Sequence, residues 1–271
     1  MPREIWGPQI PGTIQAFQSP LTDRLCVPCA HPHQHLSTFA MNRIKLWDLP
    51  TRLFHWTLLL LVSAAIISAQ IGGNAMEWHG RFGAGILALI AFRLVWGVVG
   101  STYARFATFV RGPATILAYL RGEWRGMGHN PLGALSVLGL LAVLLAQGLT
   151  GLFADDDIAF RGPYAVLVST DTSAWITGLH KNNVWVLGFL IAAHLAAITF
   201  YARVKKENLV TPMVLGYKDV PPEEAKPATG GGVLALIVAV LVGVGALWAA
   251  NGGLAKMLAP PPPPPVVTPA W

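Results

Sequence analysis

Residues Ser173–Tyr201 read SAWITGLHKNNVWVLGFLIAAHLAAITFY. Two histidines, His180 and His194, stand fourteen residues apart in this stretch. Fourteen steps of about 100° come to nearly four whole turns, so on a helix both rings face one way, about 21 Å apart along the axis. An imidazole in hydrocarbon is costly and needs a partner, so an intramembrane histidine marks a functional site by default. His55 and His79 stand at the edges of two other long apolar runs. Two imidazole levels on one helix face suit two haems stacked across a bilayer.

The rest of the chain supports a membrane setting. Of 271 residues, 54% are hydrophobic and only 12% charged, against about 25% charged in soluble domains. Five runs are apolar enough to span: about His55–Ile71, His79–Val99, Leu132–Phe153, Asn183–Tyr201 and Val233–Ala250. Asp48, with Pro50 in the first turn, is placed to cap the first helix, and Ser173 to cap the fourth. These readings define an all-α integral membrane protein, a four-helix transmembrane bundle holding two haems plus a fifth transmembrane helix.

Basic residues set the expected orientation. Arg43, Lys45 and Arg52 precede the first span, and Arg105, Arg111, Arg121 and Arg125 follow the second. Arg203, Lys205, Lys206, Lys218 and Lys226 follow the fourth, while the opposite loops hold only Arg161, Lys181 and Lys256. The positive-inside rule places the first group, with the N-terminus, in the cytoplasm and the C-terminus in the periplasm. The division expected is an extension over 1–40, a membrane domain over 41–217, a linker over 218–232, the fifth span over 233–250 and a Pro-rich tail over 251–271. Residues 1–40 carry no signal-peptide pattern and read either as a disordered N-terminal extension or as a misassigned start ahead of Met41.

Topology turns the histidines into pairs. His55 and His194 each lie about 10 Å inside the cytoplasmic end of a helix, and His79 and His180 near the external ends. Each pair can hold one iron between facing helices. A single intramembrane histidine is as often a core residue bonded to a carbonyl; four at matched depths argue for ligation. Zinc is disfavoured because it prefers four ligands converging on one point. Bis-imidazole iron, with no open position, suits electron transfer rather than oxygen chemistry. Arg93 follows His79 by fourteen residues and so shares its face; it can either pair with a haem propionate or snorkel to the headgroups. Arg81 and Lys181 can serve the outer haem or act as interfacial anchors. Trp56, Trp78, Trp96, Trp175 and Trp185 read as an aromatic belt.

The run Trp47-Asp48-Leu49-Pro50-Thr51-Arg52-Leu53-Phe54-His55-Trp56 resembles the entry signature of the bacterial cytochrome b561 family, which includes the b-type cytochrome subunits of nickel–iron hydrogenases. His79-Gly80 and Arg93-Leu94-Val95-Trp96-Gly97 are similar to its second span, and so are Tyr103, Arg105, Phe106 and Phe109 just after that span. Thr150-Gly151-Leu152-Phe153, Asp156-Asp157-Ile158 and Gly162-Pro163 look like its loop after the third helix, and His180-Lys181 and His194 complete the match over about Ile44–Tyr217. The resemblance implies a four-helix core with two haem b, bis-His ligation with the same pairing, and electron exchange between the quinone pool and a redox partner in the bacterial inner membrane. That partner would be a hydrogenase, another dehydrogenase or a periplasmic cytochrome c. The fifth span, the Pro-rich tail and the N-terminal extension depart from the simplest members. A stand-alone superoxide:quinone-type oxidoreductase is the alternative within this fold. A non-haem transporter relaying protons through its histidines is the alternative from another class.

Other motifs carry less. Cys26-Val27-Pro28-Cys29-Ala30-His31-Pro32-His33-Gln34-His35 has zinc ligand types, but Ala30 breaks the c-type haem pattern. Asp155-Asp156-Asp157 reads as a solvated loop, with cation binding as the alternative. His129 reads as a solvated loop residue. Phosphate loops, dinucleotide fingerprints and hydrolytic triads are absent from the sequence, and nothing in it points to nucleic acid.

Overall fold

The computed structural model describes residues 41–124, 126–158, 160–222 and 225–258. The Cys26–His35 motif, the polyproline run at 260–265 and Arg125 lie outside the described residues. Described elements run β1 (Asn42–Lys45), α1 (Leu49–Ile71), α2 (Ala75–Val99), α3 (Phe106–Phe109), α4 (Pro113–Leu120) and α5 (Pro131–Phe153), then α6 (Thr170–Phe200), α7 (Val210–Leu215), β2 (Tyr217–Val220), α8 (Val233–Ala250) and α9 (Gly253–Leu258). Five helices, α1, α2, α5, α6 and α8, are long and apolar enough to cross a membrane. The protein is an all-α membrane bundle.

Local chemistry sets the helix ends. Asp48 caps α1, accepting the Thr51 N–H at 2.7 Å, with Pro50 in the first turn as expected. Gly72, with φ of +69°, closes α1 by bonding to Ser68 O and allows the tight turn into α2. The expected Ser173 cap is displaced. Ser169 caps α6, accepting the Thr172 N–H, and the helix starts at Thr170. Ser173 is buried instead and donates to Phe153 O at 2.8 Å, satisfying a carbonyl at the end of α5. The apolar count missed this because the first turns of α6 are polar. At about 1.5 Å per residue they extend the helix beyond the roughly 30 Å hydrocarbon layer.

In the bundle α2 is central. It packs against α1, α5 and α8, and α6 packs against α5. Phe54, Val62, Ala65, Ile86, Ile90, Leu141, Leu144 and Leu187 form the main core, drawn from all of the first four spans. Outward faces keep large apolar side chains exposed, among them Leu60, Ile67, Phe189 and Leu195, which suits lipid rather than water. Trp78, Trp175 and Trp185 are exposed, whereas Trp96 is 1% exposed. Trp96 is therefore no belt residue, because its indole N–H donates to the buried Asp48 carboxylate at 3.0 Å.

At one end of the bundle, the basic end, the chain returns on itself. β1 and β2 pair antiparallel, with Ile44 opposite Lys218. Arg52 donates to Val214 O and Trp56 donates to Met213 O. The stretch after β2 is tied down: Ala228 N–H bonds to Lys45 O, Thr102 N–H to Thr229 O, and Tyr103 donates to Lys226 O. It leads into α8, which lies along α2 through small residues. Ala239 is fully buried, and a Cβ at Gly243 would stand 3.2 Å from Ala88 O and 3.4 Å from Phe92 Cβ. Close approach through small residues drives association where hydrophobicity cannot. Gly243→Leu should cost about 1–3 kcal/mol through overpacking, read as a lower thermal midpoint in detergent; an unchanged midpoint would show that α8 is not held at this contact.

Candidate functional site

Seven residues, close to two turns, separate a buried aliphatic side chain from each expected histidine. Val62 follows His55, Ile86 follows His79, and Leu187 lies midway between His180 and His194. All three belong to the one core cluster. Three helices thus present the same stripe inward, with an apolar layer between two polar levels. Arg93, seven residues beyond Ile86, continues the stripe on α2 at the basic end.

At the level away from the basic end, the His79 and His180 rings are perpendicular, with centroids 6.0 Å apart. His79 Nδ1 is 2.8 Å from Ala65 O, and His180 Nδ1 is 2.9 Å from Gln147 O. A carbonyl only accepts, so both rings carry the proton on Nδ1 and keep Nε2 as a lone pair. A cavity of about 700 Å³ opens beside them and reaches down to Val62, Ile86 and Leu187. Glycine makes room along it: a Cβ at Gly151 would stand 3.0 Å from His180 Cε1. Arg81 and Lys181 both line the cavity. Arg81 pairs with Glu77 at 2.5 Å and lies over the Trp78 ring.

At the other level His55 lies close enough to His194 to interact electrostatically. His194 Nδ1 is 3.5 Å from Ser136 Oγ, and His55 Nδ1 is buried without a partner. Arg93 is 3% exposed, so it does not snorkel; its guanidinium lies 4.8 Å over the Phe106 ring, and Nη1 has no partner. Asp48 faces Arg93 electrostatically. Its oxygens are engaged by Thr51 N–H and Trp96 Nε1–H.

Sequence reasoning missed three residues here. Gln147 is the hub of the His79–His180 level. Its amide nitrogen lies 3.2 Å from His180 Nε2 and donates to His180 O, while its Oε1 accepts from Asn183 at 2.7 Å. Ser136, on the same helix as Gln147, lies 3.5 Å from His194 Nδ1. Ser136 and Gln147 are eleven residues apart, about three turns, and that spacing was a legible signal that the histidine-free third span faces both levels. His129 is the third, and the solvated reading is overturned. Its ring packs 4.7 Å from both Trp47 and Phe109, with Nδ1 buried and unpartnered. Burial, aided by the nearby Arg93, His194 and His55, pushes its pKa down to about 3, so the imidazole is neutral.

The Asp155–Asp157 carboxylates shape a loop. Asp155 pairs with Arg161 at 3.1 Å and accepts the Asp157 N–H; Asp156 Oδ1 accepts the N–H groups of Ile158 and Phe160. Among the described residues no three His, Cys, Asp or Glu side chains converge on a point, while the His79 and His180 rings come together as a pair.

The prokaryotic cytochrome b561 family matches residues 46–216, well over half of the chain. Neither the curated proteins nor the solved structures return a significant match. The chain belongs to the prokaryotic cytochrome b561 family. It is a multi-pass membrane b-type cytochrome that binds haem b and works in electron transfer. The residues present fit that group. The His79 and His180 rings, with centroids 6.0 Å apart beside the cavity, are the residues that would hold a haem there. The fixed Nδ1–H tautomers leave Nε2 for iron, and the cavity lies within the range of cofactor sites, about 300–1,000 Å³. Gln147→Leu should remove the bonds to His180 and Asn183 and cost about 1–3 kcal/mol; a thermal midpoint equal to the parent's would show that the network contributes nothing.

Proposed function

We propose that this member of the family is a di-haem cytochrome carrying electrons across the bacterial inner membrane between the quinone pool and a redox partner. The single observation that carries the reading is the shared seven-residue register, which supports two histidine pairs on either side of one aliphatic layer. His55 and His194 hold the haem toward the cytoplasm, and His79 and His180 hold the one toward the periplasm. Each haem supplies a one-electron iron couple whose potential the protein tunes through ligands, hydrogen bonds and burial.

The residues of the chain do the rest. Ala65 O and Gln147 O receive Nδ1–H of His79 and His180, which orients the rings and raises their basicity. His180 Nε2, now against the Gln147 amide, is the atom that would hold the iron of a bound haem. Val62, Ile86 and Leu187 keep water and ions out of the space between the levels, so electrons pass without protons. Arg93, buried and lacking a contact anion, pairs with a propionate of the cytoplasmic haem.

The core acting in this way is residues 41–217, with 218–232 leading to the fifth span at 233–250 and a tail over 251–271. The basic end faces the cytoplasm with the N-terminus, and the C-terminus lies in the periplasm. A quinol or quinone exchanges electrons at one end. At the other stands a hydrogenase, another dehydrogenase or a periplasmic cytochrome c.

Haem content and redox titration test this. Two b haems per chain are expected. His79→Ala should lose one and keep the other, and His55→Ala should lose the one that His79→Ala keeps. One haem per chain, or both variants losing the same haem, would overturn the pairing.

A further inference from the structure

Among the described residues, the basic end holds several buried cationic and N–H groups without a hydrogen-bond partner. Arg93 Nη1, Arg105 Nε, Arg52 Nε and His129 Nδ1 are all buried without a partner. Among the described residues Arg93 makes no contact ion pair. Asp48 faces it, but that carboxylate already caps α1 and holds the Trp96 indole. A buried guanidinium in this state calls for an anion from elsewhere.

His129 is held facing the same space. The next residue, Asn130, accepts the Gly133 N–H at 2.7 Å as the cap of α5 and donates to the Tyr201 hydroxyl at 2.5 Å on the segment continuing α6. Gly128, at φ of +81°, supplies the bend before it. The loop is thereby pinned to two helices. The ring of His129 meets Phe109, Phe109 meets Phe106 at 5.7 Å, and Phe106 underlies Arg93. His129 and Arg93 thus share one aromatic wall, and His129 interacts electrostatically with Arg93, His194 and His55.

We propose that His129 is a second binding residue for the cofactor at the His55–His194 level, its Nδ1–H donating to the same carboxylate that Arg93 pairs with. This rests on the two-haem reading. A carboxylate fits better than a quinone carbonyl, because a neutral acceptor leaves the guanidinium charge uncompensated. The haem is a better source than a lipid phosphate, because Arg93 is enclosed by protein. The acidic ligand meets a charge-assisted donor and a neutral one, and the arrangement withdraws negative charge from the neighbourhood of the iron.

The test uses the purified full-length holoprotein with haem labelled by ¹³C at the propionate carboxyls, read by infrared redox difference spectra and by potentiometry. His129→Phe keeps an aromatic ring and removes the donor; His129→Gln retains an N–H. Carboxylate bands that move with the label should shift in His129→Phe and recover in His129→Gln. The midpoint potential of the haem lost in His55→Ala should fall in His129→Phe while the other stays put. Label-sensitive bands and potentials that match the parent would overturn the assignment. So would an effect confined to lipid phosphate bands, or one abolished by quinone extraction. Failure of His55→Ala to lose any haem would overturn the two-haem reading itself, a result distinguishable from the others.

Discussion

Two turns of helix, repeated on three spans, is the constraint the rest of the structure obeys. A residue seven positions on returns to nearly the same face about 10.5 Å away. In α1, α2 and α6 that step leads from a histidine to a buried aliphatic residue, and in α6 it leads on to a second histidine. In hydrocarbon an unsatisfied polar group costs several kcal/mol. The stripe must therefore face inward, and once three helices are turned that way their relative rotation is set. Lipid receives whatever remains, which is why Phe189 and Trp185 are exposed without being misplaced.

The two levels are stabilised differently. The His79–His180 level is satisfied by backbone and amide groups: Ala65 O, Gln147 and Asn183 tie α1, α2, α5 and α6 together around it. The level at the basic end is organised by a single carboxylate. Asp48 starts α1, anchors the indole of Trp96 on α2 and faces Arg93. Helix cap, interhelical bond and charge partner are thus joined in one side chain.

Much of this is legible in the chain alone. The spans, the Asp48 cap and the inward face of α6 follow from composition, capping chemistry and helical period, all local properties. Trp96 and His129 mislead because burial is not local. A tryptophan near a span end and a histidine in a loop look interfacial until the carboxylate or the aromatic wall that receives them is in place. Gln147 escapes notice because an amide has no pattern of its own; only its neighbour His180 gives it a role. Ser169 is passed over for Ser173 because polar turns outside the membrane do not register in a hydropathy run.

The sequence by itself determined the class: a helical membrane bundle with histidines at two depths, since the cost of burying imidazole and the period of the helix admit few other arrangements. Tertiary structure alone decided which groups satisfy those histidines, that α8 lies along α2, and that the chain after β2 is tied to the ends of α1 and α2. These depend on contacts between segments far apart in the chain. A backbone carbonyl is present at every residue, so only packing determines which one becomes a ligand's partner.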